Sequence, residues 1–203
     1  MANLNFLPTV IWRMPPEHVY LTFDDGPDPE ITPAILSLFR EHKVRATFFV
    51  LGEKAQRHPQ IIKQIFENGH AIGNHSFRHP RLVRKNKDFI RAEVTKTDAA
   101  VAEIIGKKPA LFRPPYGRFG ADLLSILNET RHQMILWSAS TKDYKSAATA
   151  ETISRNFLKH AKPGKIILLH DGHVNSRATL SALKNTLGDL SARGITFSPI
   201  PET

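Results

Sequence analysis

Short apolar runs alternate with amphipathic helical stretches along nearly the whole 203-residue chain. Seven runs read as strands: residues 18–23 (HVYLTF), 46–50 (ATFFV), 70–73 (HAIG), 110–113 (ALFR), 133–137 (QMILW), 165–169 (KIILL) and 195–198 (ITFS). They are short and rich in β-branched and aromatic residues, which favours strand over helix. Their hydrophobicity is nearly continuous rather than alternating, as expected for parallel strands covered on both faces. Between them lie helical patterns. Thr32–Pro33 supplies an N-cap and first-turn pair, residues 59–68 end at Asn68–Gly69, and residues 87–105 stop at Gly106. Further helices fit residues 120–130, 150–161 and 176–192. Such βα alternation commits the chain to a parallel α/β fold, either an open doubly wound sheet or a barrel. With no repeat, low-complexity tract or interdomain linker, residues 1–203 are read as one domain, long enough to bury a substantial core.

The polar residues at the ends of these runs favour the barrel. Asp24 and Asp25 follow the first strand, His75 the third, Asp143 the fifth and His170 the sixth, while Arg113 ends the fourth. Barrel enzymes gather their chemistry from the carboxyl ends of many strands. An open sheet binds at a crevice fed by fewer of them.

Composition narrows the chemistry. The chain has no Cys, which excludes disulfides, thiolate metal sites and a Cys nucleophile. Any metal site must therefore be built from His, Asp and Glu. The net charge of +9 is spread over scattered Lys and Arg, including RKNK at 84–87. That pattern describes a solvated surface and is compatible with an anionic glycan partner. No basic run is interleaved with aromatics, so nucleic acid is not an expected partner. No apolar stretch reaches the length of a membrane span. The leading MANLNFLPTVIWRMPP lacks a basic n-region and is interrupted by Pro8, so it does not read as a signal peptide. A cytoplasmic location is expected unless an export segment has been removed. The oligomeric state is open.

Five segments carry candidate chemistry. In TFDDGP, Asp24 and Asp25 are adjacent carboxylates that repel unless a cation is near, and Gly26–Pro27 turns the chain directly after them. In HSFRH, His75 and His79 stand four apart, so on a helical turn both imidazoles would face one ion. Two His and one Asp are enough to hold a zinc-like ion with an open position, and the second Asp would be free to act as a base. In RPPYG, the prolines stiffen a loop around Arg113, whose guanidinium suits a forked pair with a carboxylate. The fourth segment runs from Trp137 to Asp143–Tyr144, and the fifth is Leu168–Leu169–His170–Asp171. A carboxylate beside His170 would keep it protonated near neutrality and make it a general acid for a leaving amine. Asp143 and Asp171 both qualify from sequence.

Taken in order, from about Tyr20 to Phe197, these segments resemble the five motifs of the polysaccharide deacetylases, carbohydrate esterase family four, also called the nodulation-factor deacetylase homology domain. The resemblance implies a distorted (β/α) barrel of about seven parallel strands. It implies Asp24 as catalytic base, Asp25, His75 and His79 as ligands of one divalent ion, Arg113 as support for the base, and Asp143 as the group that tunes the acid His170. Zinc is the first expectation for the ion, with cobalt and nickel as alternatives. Leu168 and Tyr144 would line the pocket for the acetyl methyl with Trp137 beside them, and the Tyr116 N–H would help hold the oxyanion. The fourth motif departs from the family's Asp-x-x-Asp-Trp: here it reads Ser140, Thr141, Lys142, Asp143 and Tyr144. Tyr can still wall an apolar pocket, but the change bears on substrate preference.

The expected activity is metal-dependent hydrolysis of N-acetyl groups on the amino sugars of a chitooligosaccharide or a peptidoglycan-like glycan. The competing expectations are another acyl or amide substrate on the same site (xylan O-acetyl, a formylated sugar, a cyclic amide) and a non-catalytic glycan-binding domain.

Overall fold

The computed structural model describes residues 10–202. Residues 1–9, including Pro8 and much of the segment judged above not to be a signal peptide, lie outside the described residues. The strands are β1 (Val10–Ile11), β2 (Tyr20–Gly26), β3 (Thr47–Val50), β4 (Ala71–Asn74), β5 (Leu111–Phe112), β6 (Gln133–Ile135), β7 (Ala139–Ser140) and β8 (Ile166–His170). The helices are α1 (Ile31–His42), α2 (Gly52–Arg57), α3 (Pro59–Glu67), α4 (Lys87–Ile105), α5 (Ala121–Glu129), α6 (Ala150–His160) and α7 (Ser176–Ala192), with a 3-10 turn at Pro115–Gly117. No helix among the described residues is long and apolar enough to cross a membrane.

All eight strands belong to one sheet, ordered β1-β6-β5-β4-β3-β2-β8-β7, and every neighbouring pair is parallel. The sheet curls into a half-barrel. Beyond edge strand β1, Arg13 bridges Lys165 and the Met14 N–H donates to the Gly164 carbonyl at 3.1 Å, which draws that edge toward the start of β8.

Side-chain alternation explains why the strands are apolar throughout. Tyr20, Phe49, Leu111, Ile135 and Ile166 point to the concave face and pack with Ile200. Leu21, Phe23, Phe48, Val50, Ile167 and Leu169 point outward into the core beneath the helices. On β2 the inward set continues from Tyr20 to Thr22 and Asp24 near the carboxyl end. Parallel register places Asp24 beside His170 and Thr22 beside Leu168, on the same face. The two residues expected to act as base and acid are thus brought side by side by strand pairing.

Three details differ from expectation. Among the described residues there are eight strands rather than about seven, because the two-residue β1 and β7 add to the set while 195–198 contributes only a bridge from Phe197 to Val19. Pro199 follows directly and offers no N–H to extend that ladder. The short α2 was not anticipated; among its residues only Gly52 and Ala55 are buried. Finally, Thr32 is not an N-cap. Asp28 Oδ1 accepts the N–H groups of Glu30 and Ile31 at 2.9 and 2.8 Å, while the Thr32 hydroxyl donates to Asp171.

Candidate active site

Arg113 is fully buried beneath the concave face, where carboxylate, hydroxyl and carbonyl oxygens accept from its guanidinium. Nη1 donates to Asp24 Oδ1 and to Thr22 Oγ1, both at 2.7 Å. Nη2 and Nε donate to the carbonyls of Leu136 and Ile135 at 3.2 and 3.3 Å, and the guanidinium lies 4.1 Å from the centre of the Phe49 ring. Burial lowers its pKa and Asp24 opposes that shift. The expected forked pair is not formed: one arm meets one oxygen of Asp24. The other oxygen, Oδ2, stands 3.6 Å from His75 Nε2.

His75 and His79 do converge, though not on a helix. They sit on the bent loop after β4, with Ser76 and His79 in the left-handed region at φ 69° and 60°. Such a backbone costs about 1–3 kcal/mol per residue unless the surroundings hold it. Here Asn74 Oδ1 accepts the Ser76 N–H at 2.8 Å, Ser76 Oγ accepts the His79 N–H at 3.0 Å, and Glu93 of α4 accepts the N–H groups of Phe77 and Arg78, both at 2.9 Å. Asn74 is itself tied to Asp98 of α4 at 2.8 Å, which also meets His132 at 3.0 Å. Asp25 adopts φ 69°, and its carbonyl accepts a hydrogen bond from Lys54 Nζ at 2.7 Å. Lys54 also donates to the Gly172 carbonyl at 3.1 Å. A Cβ at Gly172 would overlap the Asp25 carbonyl, so this crossing of two loops requires glycine.

The donor set fits a divalent cation. His75 Nδ1 lies 2.7 Å from the Arg113 carbonyl, which can only accept, so Nδ1 carries the proton and Nε2 presents its lone pair. Burial pulls the His75 pKa down to about 3, so the ring stays neutral. That lone pair faces Asp25 Oδ1 at 3.5 Å, and His79 Nε2 faces the same oxygen at 3.3 Å. Asp25 Oδ1 is buried and has no hydrogen-bond partner among the described residues. One ligand atom from each of the three residues lies within 4.8 Å of the others. Electron pairs brought together in this way repel unless a cation lies among them, and three protein ligands leave coordination positions open.

His170 has the opposite character. Its Nδ1 lies 2.9 Å from Asp143 Oδ1, while Asp143 Oδ2 accepts the His170 N–H at 2.7 Å and the Thr179 hydroxyl at 3.0 Å. Burial alone would lower its pKa. The hydrogen bond and charge of Asp143, with Asp24 and Asp25 adding charge, raise it to about 9. Asp171, the other candidate partner, points to the opposite side, accepts from Thr32 and is pushed by burial up to about 7.

Asp24, Asp25, His75, His79 and His170 floor a cleft of about 380 Å³. Tyr116, Gly117, Trp137, Tyr144, Leu168 and His173 line it. Tyr116 sits at φ 60° with its ring 4.6 Å from that of His79, and Tyr144 lies edge-on to His170 at 5.8 Å. Among the described residues the Tyr116 N–H has no protein acceptor. The sequence reading missed His173, whose ring is 5.6 Å from that of His170, along with Thr22, Lys54 and Glu93. His173 was signalled only by standing three residues past His170, on the loop that follows β8.

The chain is 40% identical over 186 residues to a peptidoglycan-N-acetylglucosamine deacetylase of Bacillus cereus, covering 90% of this chain and 66% of that relative. It is 36% identical to a chitooligosaccharide deacetylase of Azorhizobium caulinodans, covering 90% and 92% of the two chains. A crystal structure of a peptidoglycan N-acetylglucosamine deacetylase superposes with a TM-score of 0.88 at 36% identity, over 95% of this chain and 91% of that one. The sequence pattern of polysaccharide deacetylases matches residues 13–135, more than half of the chain, and with relatives this similar along their length the chain belongs to the polysaccharide deacetylase family.

Proposed function

We propose that the protein is a metal-dependent hydrolase that removes N-acetyl groups from the amino sugars of a glycan of the peptidoglycan or chitooligosaccharide kind. The observation that carries the proposal is a pair of proton-transfer groups of opposite character on adjacent strands. Asp24 Oδ2 faces the cleft while Arg113 holds Oδ1, and His170, raised to about 9, stands in register beside it.

Asp25, His75 and His79 would hold the ion. When bound, a divalent cation supplies Lewis-acid chemistry, polarising the acyl carbonyl and making water more acidic. Asp24 Oδ2 then takes a proton from the attacking water, whose oxygen forms the new bond to the carbonyl carbon. The Tyr116 N–H is available to donate to the developing oxyanion. His170 delivers the proton held on Nε2 to the sugar nitrogen as the carbon–nitrogen bond breaks, releasing acetate and a free amine. Leu168, Tyr144 and Trp137 wall the space for the methyl group.

The test is acetate release from a panel of acetylated glycans, with O-acetyl xylan included, before and after chelation and after re-addition of zinc, cobalt or nickel. Chelator-sensitive release from N-acetylated oligomers is expected. Release that survives complete chelation, or from the O-acetyl substrate alone, refutes the proposal.

A further inference from the structure

We infer that Arg81 is a specificity-determining residue that reads acidic groups on the glycan, so that the cleft prefers an N-acetylated chain bearing carboxylates to a neutral one. The inference rests on the deacetylase reading and goes beyond it by naming the charge of the substrate.

Arg81 lies two residues past His79 on the loop between β4 and α4. Its guanidinium carbon stands 5.5 Å from the centre of the Tyr116 ring, and that ring stands 4.6 Å from His79. One aromatic side chain therefore separates an exposed cation from a candidate metal ligand, at the rim of the cleft. Held against the Tyr116 ring, the guanidinium keeps its donors available for a carboxylate.

Neighbouring charges make the arrangement selective. Arg78, on the same loop, meets Glu53 at 3.5 Å, and Arg177 meets Glu30 at 2.5 Å. Asp28 is occupied capping α1. By contrast, among the described residues neither Arg81 nor the lysines on either side of the opposite rim aromatic Tyr144, Lys142 and Lys145, has a carboxylate oxygen within 4.0 Å. The rim is thus two aromatic rings with uncompensated cations beside them. Rings offer flat faces to sugars whatever their charge, whereas the cations distinguish an acidic chain from a neutral one and raise its local concentration. An Arg that merely solvates the surface would make no such distinction.

The test uses the metal-loaded protein and two probes of equal length: an N-acetylglucosamine–N-acetylmuramic acid tetrasaccharide and the same oligomer with its carboxyls amidated. Calorimetric binding is measured beside turnover, at low salt and at about 0.5 M salt. Wild type should prefer the acidic oligomer, with the preference shrinking at high salt. Arg81→Gln should cut the acidic-to-amidated ratio of kcat/KM about three- to tenfold, through KM, and the binding ratio in parallel. Lys63→Gln removes the same charge on α3, away from the cleft, and should leave both ratios in place. Equal binding of the two oligomers by wild type, or an Arg81→Gln ratio equal to wild type, overturns the inference. If neither oligomer is hydrolysed but the Arg81-dependent binding preference persists, the inference stands, and the deacetylase reading is decided separately by the acetate-release panel.

Discussion

Replacing Asp143 by Asn would test the acid role of His170 with almost no change of shape. In the native protein Asp143 Oδ2 accepts two hydrogen bonds, from the His170 N–H and the Thr179 hydroxyl, while Oδ1 faces His170 Nδ1 at 2.9 Å. An amide has only one acceptor oxygen. If that oxygen keeps the two bonds on the Oδ2 side, the NH₂ group must face His170 Nδ1, which then has to be an unprotonated acceptor. The arrangement that satisfies every polar atom of the substituted amide is therefore one in which His170 is neutral, and the reverse flip leaves a buried N–H facing an NH₂, costing about 1–3 kcal/mol. Loss of a contacting opposite charge adds a fall of roughly 1–3 pKa units. The alkaline limb set by a His170 value of about 9 should move down accordingly. With a fall of about two units, the acid form near pH 8 drops about tenfold while near pH 6 it is almost fully populated. The assay is the pH profile of kcat/KM for Asp143→Asn, with Asp171→Asn as control because that residue bonds to Thr32 instead. An alkaline limb that stays in place in Asp143→Asn, or moves only in Asp171→Asn, refutes the pairing.

Three further outcomes follow from the geometry. Asp24→Asn should lose about two to four orders of magnitude in turnover yet keep its metal, whereas His75→Ala should lose the ion itself; metal analysis beside kinetics separates the two, and equal metal loss in both would mean the adjacent aspartates have exchanged roles. Gly172→Ala should destabilise the protein by about 1–3 kcal/mol and weaken metal affinity, since its methyl would displace the Asp25 carbonyl; an unchanged melting curve and affinity would refute that. His70 is buried, accepts the Ala46 N–H at 3.1 Å through Nδ1, and has its pKa lowered to about 4 by burial and by Arg45. Because the folded value is depressed, its contribution is fully present above the unfolded value near 6.5 and is lost as pH falls toward 4, amounting to about 2 kcal/mol by pH 5. Urea melts of wild type and His70→Asn at pH 7.5 and 5 should differ in slope by about that much, and identical pH slopes would exclude it.

What the sequence disclosed follows the physical origin of each feature. Helices α4 and α7 are found where their apolar spacing put them, and α4 ends at Gly106 in the left-handed region, the signal that predicted its end. Strands β1 and β7 escaped because two residues carry no periodic signal; they exist only by pairing with β6 and β8, a non-local cause. The His75–His79 loop shows the same limit more sharply. Spacing suggested a helical turn, yet beside the local bonds from Asn74 and Ser76 the loop is held by Glu93 and, through Asn74, by Asp98, both on α4. Local sequence therefore showed which residues converge but not the backbone that brings them together. The choice between Asp143 and Asp171 sits between these cases. Alternation along β8 already turns Asp171 away from His170, but placing Asp143 there needs β7, the strand with no sequence signal, to lie beside β8. The geometry of the candidate site is thus written twice: residue types at strand ends are local and legible, while the register that sets Asp24 beside His170, and His170 beside Asp143, is a property of the whole network of strand pairs.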